Sequence, residues 1–194
     1  MHDWAATLAV APDGEGALAS CDFSRIEKQM PTQIRAVVIT VSDASSRGVR
    51  KDESGEILVE LLKELGAEIV AQRILSDDLD PLADALREFS DWRNVNMIVT
   101  TGGTGFSPRD NTPEATLTVI EREAPGLAEA MRMETLKNTP MAMISRGVCG
   151  IRSGTLIINF PGAPKAVRES FAIIAPVLKH AIALLAGERG GGVH

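Results

Sequence analysis

A chain of 194 residues with 44% hydrophobic content is long enough to bury one core, and domain-size statistics favour a single folded domain over two. Its net charge of −6, from 20 basic and 26 acidic residues, excludes a broad electrostatic footprint for nucleic acid or anionic lipid, so any anionic ligand has to be held locally. No run approaches the ~20 apolar residues of a membrane span, and Asp3 and Glu15 stand where the basic lead-in of a secretory signal would flank "WAATLAVAP". Cys21 and Cys149 have no metal-ligand spacing and no histidine cluster beside them, which reads as reduced structural thiols in a cytoplasmic protein.

Residues 1–33 carry no sustained period and include "APDGEG", so they are expected to form an N-terminal extension, partly disordered. The folded domain is expected over residues 34–187. "RAVVITVS" is β-branched and nearly continuous in its apolar residues, as suits a strand covered on both faces. After the polar loop "DASSRGVRKDESG", Ile57, Leu58, Leu61, Leu62 and Leu65 recur at helical spacing and Gly66 supplies the stop. "AEIVAQRIL" reads as the next strand, Asp80–Phe89 as a helix and "NMIVTT" as a third buried strand. Helices are then predicted at Thr112–Glu123 and Leu127–Lys137, separated by the "PG" at 125 and 126. A turn at Arg152–Gly154 leads into the strand "TLIINF", and a last helix runs from about Pro164 to Ala186. Residues 188–194 are expected to be a disordered tail.

This alternation predicts an α/β fold: a three-layer, doubly wound, mostly parallel sheet with helices on both faces. Ligands of such folds collect at the carboxyl ends of the strands. "SDASSRG", "SDD" and "TGGTGFSPRD" therefore share one rim. The last is the richest. Its glycines let the backbone approach a ligand so that N–H groups converge on phosphate oxygens, Thr101 and Thr104 add hydroxyls, and the helix expected after Thr112 offers its positive end. The loop lacks both the Gly-Lys-Ser/Thr ending of a Walker A sequence and the GxGxxG fingerprint, so taken alone it fits either a phosphate cradle or a tight structural turn. Asp77 and Asp110 reach the same rim, and two carboxylates beside a triphosphate are what Mg²⁺ requires. Asp77 also fits a helix N-cap.

Together "TVSDASSRG", "TTGGTGFSPRDNTPEAT", "PGLAEAMR", the Ser145–Arg146 pair and "INFPGAPKAVRE" occur in the order and spacing of the molybdopterin adenylyltransferase family (MogA/MoaB-like), which also resembles one domain of gephyrin. The similarity spans roughly residues 34–186. It implies an enzyme of molybdenum cofactor synthesis that adenylates molybdopterin at the expense of Mg-ATP, releasing pyrophosphate. Mg²⁺ is then the implied metal, ATP and molybdopterin the substrates, and other molybdenum cofactor biosynthesis proteins the partners, with no nucleic acid and no membrane. The implied assembly is a homotrimer or homohexamer. In such a transfer the nucleophile is a phosphate already anionic at neutral pH, so no Ser-His-Asp arrangement is needed and positioning with charge neutralisation dominates.

Matched position by position, the resemblance assigns Asp77 and Asp110 to catalysis and metal binding, and Gly102, Gly103, Thr104 and Gly105 to the phosphate-cradling loop, next to Thr101. Ser42 and Asp43 match the pair lining the pterin side, while Ser145, Arg146, Asn159, Pro161 and Gly162 complete the pocket and Lys165 is an anion contact. Arg109 is also expected among the ligand-binding residues; it and Arg146 fit loop-bracing ion pairs as well, and Met131 and Met133 fit packing roles. Ser76 stands where the family commonly has proline, which leaves Asp77 and Asp78 both as candidates for the functional acid, and Ala163 stands where a polar side chain is frequent. The alternative function is a non-catalytic molybdopterin-binding or scaffold module of the same family.

Overall fold

The computed structural model describes residues 33–187; the expected N-terminal extension and tail fall outside the described residues, apart from Gln33. Among the described residues six strands form one sheet: β1 (Arg35–Val41), β2 (Glu68–Leu75), β3 (Met97–Thr101), β4 (Arg122–Glu123), β5 (Cys149–Arg152) and β6 (Thr155–Phe160). Their spatial order is β2-β1-β3-β6-β5-β4. The pairs β1–β2, β1–β3 and β3–β6 are parallel, while β5 runs antiparallel to both β6 and β4.

The inner parallel strands β1, β3 and β6 are buried on both faces, and their side chains alternate between two cores. Ala36, Val38, Met97, Val99, Leu156 and Ile158 pack on one side with α2 (Glu53–Glu64), α5 (Pro125–Leu136) and α6 (Pro164–Leu185). Val37, Ile39, Val41, Ile98 and Ile157 face the other side, where α3 (Leu79–Ser90) and α4 (Thr112–Leu117) lie. The predicted three-layer, doubly wound and mostly parallel α/β architecture is the observed one.

Because α2 links β1 to β2 on one face and α3 links β2 to β3 on the other, the winding reverses at β1, and a crevice opens at the carboxyl ends of β1 and β3. These ends are level: Val41 pairs with Leu75, Thr40 with Thr101 and Thr101 with Phe160. The loops that follow therefore start from one plane.

Three local expectations needed correction. The helix expected over Thr112–Glu123 stops at Leu117, and Arg122–Glu123 pairs as β4 against β5. The run Thr116, Thr118, Val119, Ile120 is β-branched, which lowers helix propensity, and Ile120 lies against Gly150, where an added Cβ would meet it at 2.6 Å. Pro125 and Gly126 do not separate two helices; Pro125 opens α5, where its missing N–H costs nothing. Met133, expected in packing, is 68% exposed, whereas Met131 is buried. The turn at Arg152–Gly154 is observed as expected, with Ser153 at φ 49° and Gly154 at φ 80°, the hand that a two-residue hairpin needs.

Candidate active site at the carboxyl rim

The glycine loop sits in the crevice by virtue of missing side chains. Gly102 has φ +99° and lies so close to β1 that a Cβ there would meet the Val41 carbonyl oxygen at 2.2 Å. Gly103, at φ +62°, leaves the Thr112 hydroxyl at 2.4 Å from the place of a Cβ, and that hydroxyl donates to the Gly102 carbonyl at 2.9 Å. Thr101 Oγ1 donates to the Pro161 carbonyl at 2.8 Å, tying the loop to the chain leaving β6.

Arg146 braces the loop from beneath. Its Nε donates to the Gly105 carbonyl at 2.7 Å and its Nη2 to the Asp110 carbonyl at 2.6 Å, while Nη1 pairs with Glu114. Asn159 is equally committed. Its amide nitrogen donates to the hydroxyls of Thr100 and Thr116, both at 3.0 Å, and its oxygen accepts from Val148 N–H at 3.2 Å. Asn159, Thr100 and Thr116 are buried, and such groups hold their place because leaving any of them unpaired costs the desolvation of that group.

Asp77 and Asp110 flank the loop. A Cβ on Gly103 would lie 3.4 Å from Asp77 Oδ1, and one on Gly105 2.9 Å from Asp110 Oδ2. Asp77 Oδ2 accepts from Asp43 N–H at 2.8 Å and Asp110 Oδ2 from Ser107 N–H at 3.0 Å; the Oδ1 atom of each accepts no hydrogen bond from the described residues. Asp77 is not the cap of α3. Asp78 holds that position without capping, its carboxylate taking the Ser76 hydroxyl at 2.8 Å and Arg109 Nη1 at 2.8 Å. Asp77 instead serves the first N–H of α1 (Asp43–Ser46).

The hydrogen bond between Asp43 and the Asp77 backbone, with Arg109 beside it, holds the Asp43 carboxyl below its ordinary range; Ser76 and Arg109 do the same for Asp78. The carboxylates of Asp78 and Asp43 in turn raise Arg109 above its ordinary value.

Two cavities flank the glycine loop and meet at Gly162. The larger, about 370 Å³, is walled by Gly103, Thr104, Gly105 and Asp110 on one side and by α5, α6 and the 3-10 turn Pro140–Ile144 on the other. Ser145, Asn159 and Pro161 also line it. The smaller, about 220 Å³, is bounded by Ser42, Arg50, Asp52, Ser54, Thr101 and Gly102. Asp43, Asp77 and Arg109 stand on the rim and line neither. Lys165 projects away, 85% exposed, with Glu169 at 3.8 Å.

Sequence reading missed several wall residues. Thr135 is 6% exposed and lines the larger cavity, and its hydroxyl has no partner among the described residues. Arg132 lines the same cavity and donates to the Gly147 carbonyl at 2.7 Å. Both lie on α5, whose apolar periodicity gives no hint of a polar task. Asp52, which the sequence reading also missed, caps α2: it accepts from Gly55 N–H at 2.9 Å, and also from Thr40 Oγ1 at 2.6 Å. The only cysteine among the described residues, Cys149, is buried in the core, which pushes its thiol up to about 12 and keeps it in the neutral form. Among the described residues, no group of three or more His, Cys, Asp or Glu side chains is placed together so as to hold a metal ion.

Residues 37–180 match the model of the family described as "Probable molybdopterin binding domain". The chain belongs to this molybdopterin-binding family. Among its relatives, the molybdopterin adenylyltransferase of Helicobacter pylori strain J99 is 40% identical over 152 residues, spanning 77% of this chain and 86% of the relative. The molybdenum cofactor synthesis protein cinnamon of Drosophila melanogaster is 44% identical over 149 residues, which make up 76% of this chain but 25% of that longer protein. This member of the molybdopterin-binding family is also similar to the crystal structure of the molybdopterin biosynthesis enzyme MoaB from Thermus thermophilus. They share 44% identity and a TM-score of 0.76, over 80% of this chain and 98% of that one. No helix of the described residues is long and apolar enough to cross a membrane.

Proposed function

We propose that this chain is a molybdopterin adenylyltransferase of molybdenum cofactor biosynthesis, transferring AMP from Mg-ATP to molybdopterin with release of pyrophosphate. The observation that carries the reading is the placement of two carboxylates, each with one unengaged oxygen, beside a positive-φ glycine loop between two cavities. In the transfer, the terminal phosphate oxygen of molybdopterin forms a bond to the α-phosphorus of ATP while the bond from that phosphorus to the bridging oxygen breaks, and the electron pair leaves with pyrophosphate. Asp77 and Asp110 would supply hard oxygen ligands to Mg²⁺. Bound there, the ion supplies charge neutralisation at the α-phosphate and the leaving group.

The chain's own residues position and exclude. Gly102 and Gly103 let backbone N–H groups approach the phosphates, and Arg146 keeps the loop in that shape while its donors stay engaged with protein oxygens. The larger cavity, walled by Met131, Ala142, Ile144 and Ala166, suits a flat heterocycle. Ser42, Thr101, Ser145, Pro161 and Gly162 shape the two walls.

Incubation with molybdopterin and Mg-ATP is expected to yield adenylyl-molybdopterin and pyrophosphate in equal amounts. Binding of molybdopterin without pyrophosphate release would instead leave the scaffold role of the family. We also place the protein in the cytoplasm, alongside other molybdenum cofactor biosynthesis proteins, as a homotrimer or homohexamer. The exposure of Met133, Met141 and Met143, at 68%, 62% and 66%, supports an assembly that covers them; a monomer in sedimentation equilibrium would overturn it.

A further inference from the structure

We propose that Arg109 is a positioning residue that sets the Asp77 carboxylate for adenylyl transfer by clamping the three rim loops together. The inference rests on the adenylyl-transfer reading above and extends it to a side chain that reaches the reaction only through others.

Every donor edge of the guanidinium is turned onto protein carboxylates. Nε meets Asp43 Oδ2 at 3.3 Å, Nη2 meets Asp43 Oδ1 and Oδ2 at 3.0 Å each, and Nη1 meets Asp78 Oδ1 at 2.8 Å. One side chain from the glycine loop thus holds the loop after β1 and the loop after β2. Asp43 passes the constraint on. Its Oδ1 accepts from Asp77 N–H at 3.2 Å, and its own N–H donates to Asp77 Oδ2 at 2.8 Å, a reciprocal pair that leaves Asp77 Oδ1 beside Gly103. Asn111, two residues after Arg109, adds a parallel link from its amide to the Asp77 carbonyl at 2.9 Å.

Arg109 immediately precedes Asp110, so the chain that carries one proposed metal ligand also fixes the other. Without the guanidinium, Asp43 and Asp78 would lose the cation that bridges them, and like-charge repulsion between them would spread the two loops. A lysine cannot replace the fork, because a single ammonium is a point charge while the bond pattern here is two-sided and planar. The side chain is 53% exposed, and ion pairs at that exposure contribute little to global stability, so the expected consequence of its loss is catalytic.

The test is steady-state adenylyl transfer by the full chain, comparing wild type with R109Q, R109K, D43N, the R109Q/D43N double variant and D77N. R109Q is expected to lower kcat by about tenfold or more with the KM for ATP within about threefold, and R109K to recover only part of the loss. The double variant is expected to lose about as much as the worse single variant, because both changes break one link. An unchanged kcat in R109Q, a rise in KM at constant kcat, or multiplicative losses in the double variant would each overturn the proposal. So would a fall in melting temperature above about 5 °C, which would make Arg109 a stability residue. D77N separates the two levels. Full turnover there would refute the role of Asp77 itself, whereas an inactive D77N beside an intact R109Q would refute the clamp alone.

Discussion

At the scale of single residues, the rim is built from constraints that only particular side chains, or their absence, satisfy. Gly102 combines a positive φ with contact to the β1 backbone at a distance no Cβ tolerates. Gly102→Ala is therefore expected to destabilise the fold by about 1–3 kcal/mol from backbone strain alone, with more from displacement of β1, read as a lower urea midpoint at unchanged slope. A midpoint equal to wild type would mean that the loop has an alternative path. Asn159 and Arg146 make the complementary point. Both are expected in the ligand pocket from the family resemblance, yet each spends its polar atoms on protein partners, so substituting either would disturb the loop before any ligand arrives.

Between elements, the loops after β1, β2 and β3 are joined chiefly by carboxylates, and this gives the rim a pH limit. Asp43 and Asp78 both titrate below their ordinary value in the folded state. Groups with a depressed folded value stabilise above the unfolded value, near 4, and lose that contribution as pH falls through the folded value. Acid titration from about pH 5 downward is thus expected to loosen the rim loops before the sheet unfolds, seen as faster amide exchange at Asp43 and Asp77 than in β1 and β3. Equal exchange in loops and strands down to global unfolding would contradict it.

The elements themselves were largely readable. The apolar runs of β1, β3 and β6 are long enough to signal strands buried on both faces, and α2 and α3 show their periodicity plainly. The stretch from Thr112 to Glu123 misled because a short helix and a two-residue edge strand share it, and the pairing of β4 depends on β5, distant in sequence. In the site, the glycine loop was legible through its composition, and the aspartates through their place after strands. The unpartnered Thr135 hydroxyl was not, since a threonine on a helix carries no mark of the cavity that tertiary packing opens beside it.

Across the whole molecule, the sheet acts as a level platform. Register brings Val41, Leu75, Thr101 and Phe160 to one plane, the winding reversal opens a crevice there, and the glycine loop divides the space into a larger, more apolar cavity and a smaller polar one. Asp110 lines the larger cavity and Asp77 stands on the rim beside Gly103, and under the proposed reading the α-phosphate is held near them. The most direct test of that arrangement is pyrophosphate release by Asp110→Asn with molybdopterin and Mg-ATP, at a melting temperature matched to wild type. The expected result is a fall in kcat of about a hundredfold or more, because Asn keeps the shape but loses the charge that holds the metal. Turnover equal to wild type would contradict the assignment of Asp110 and, with it, the proposed centre of the site.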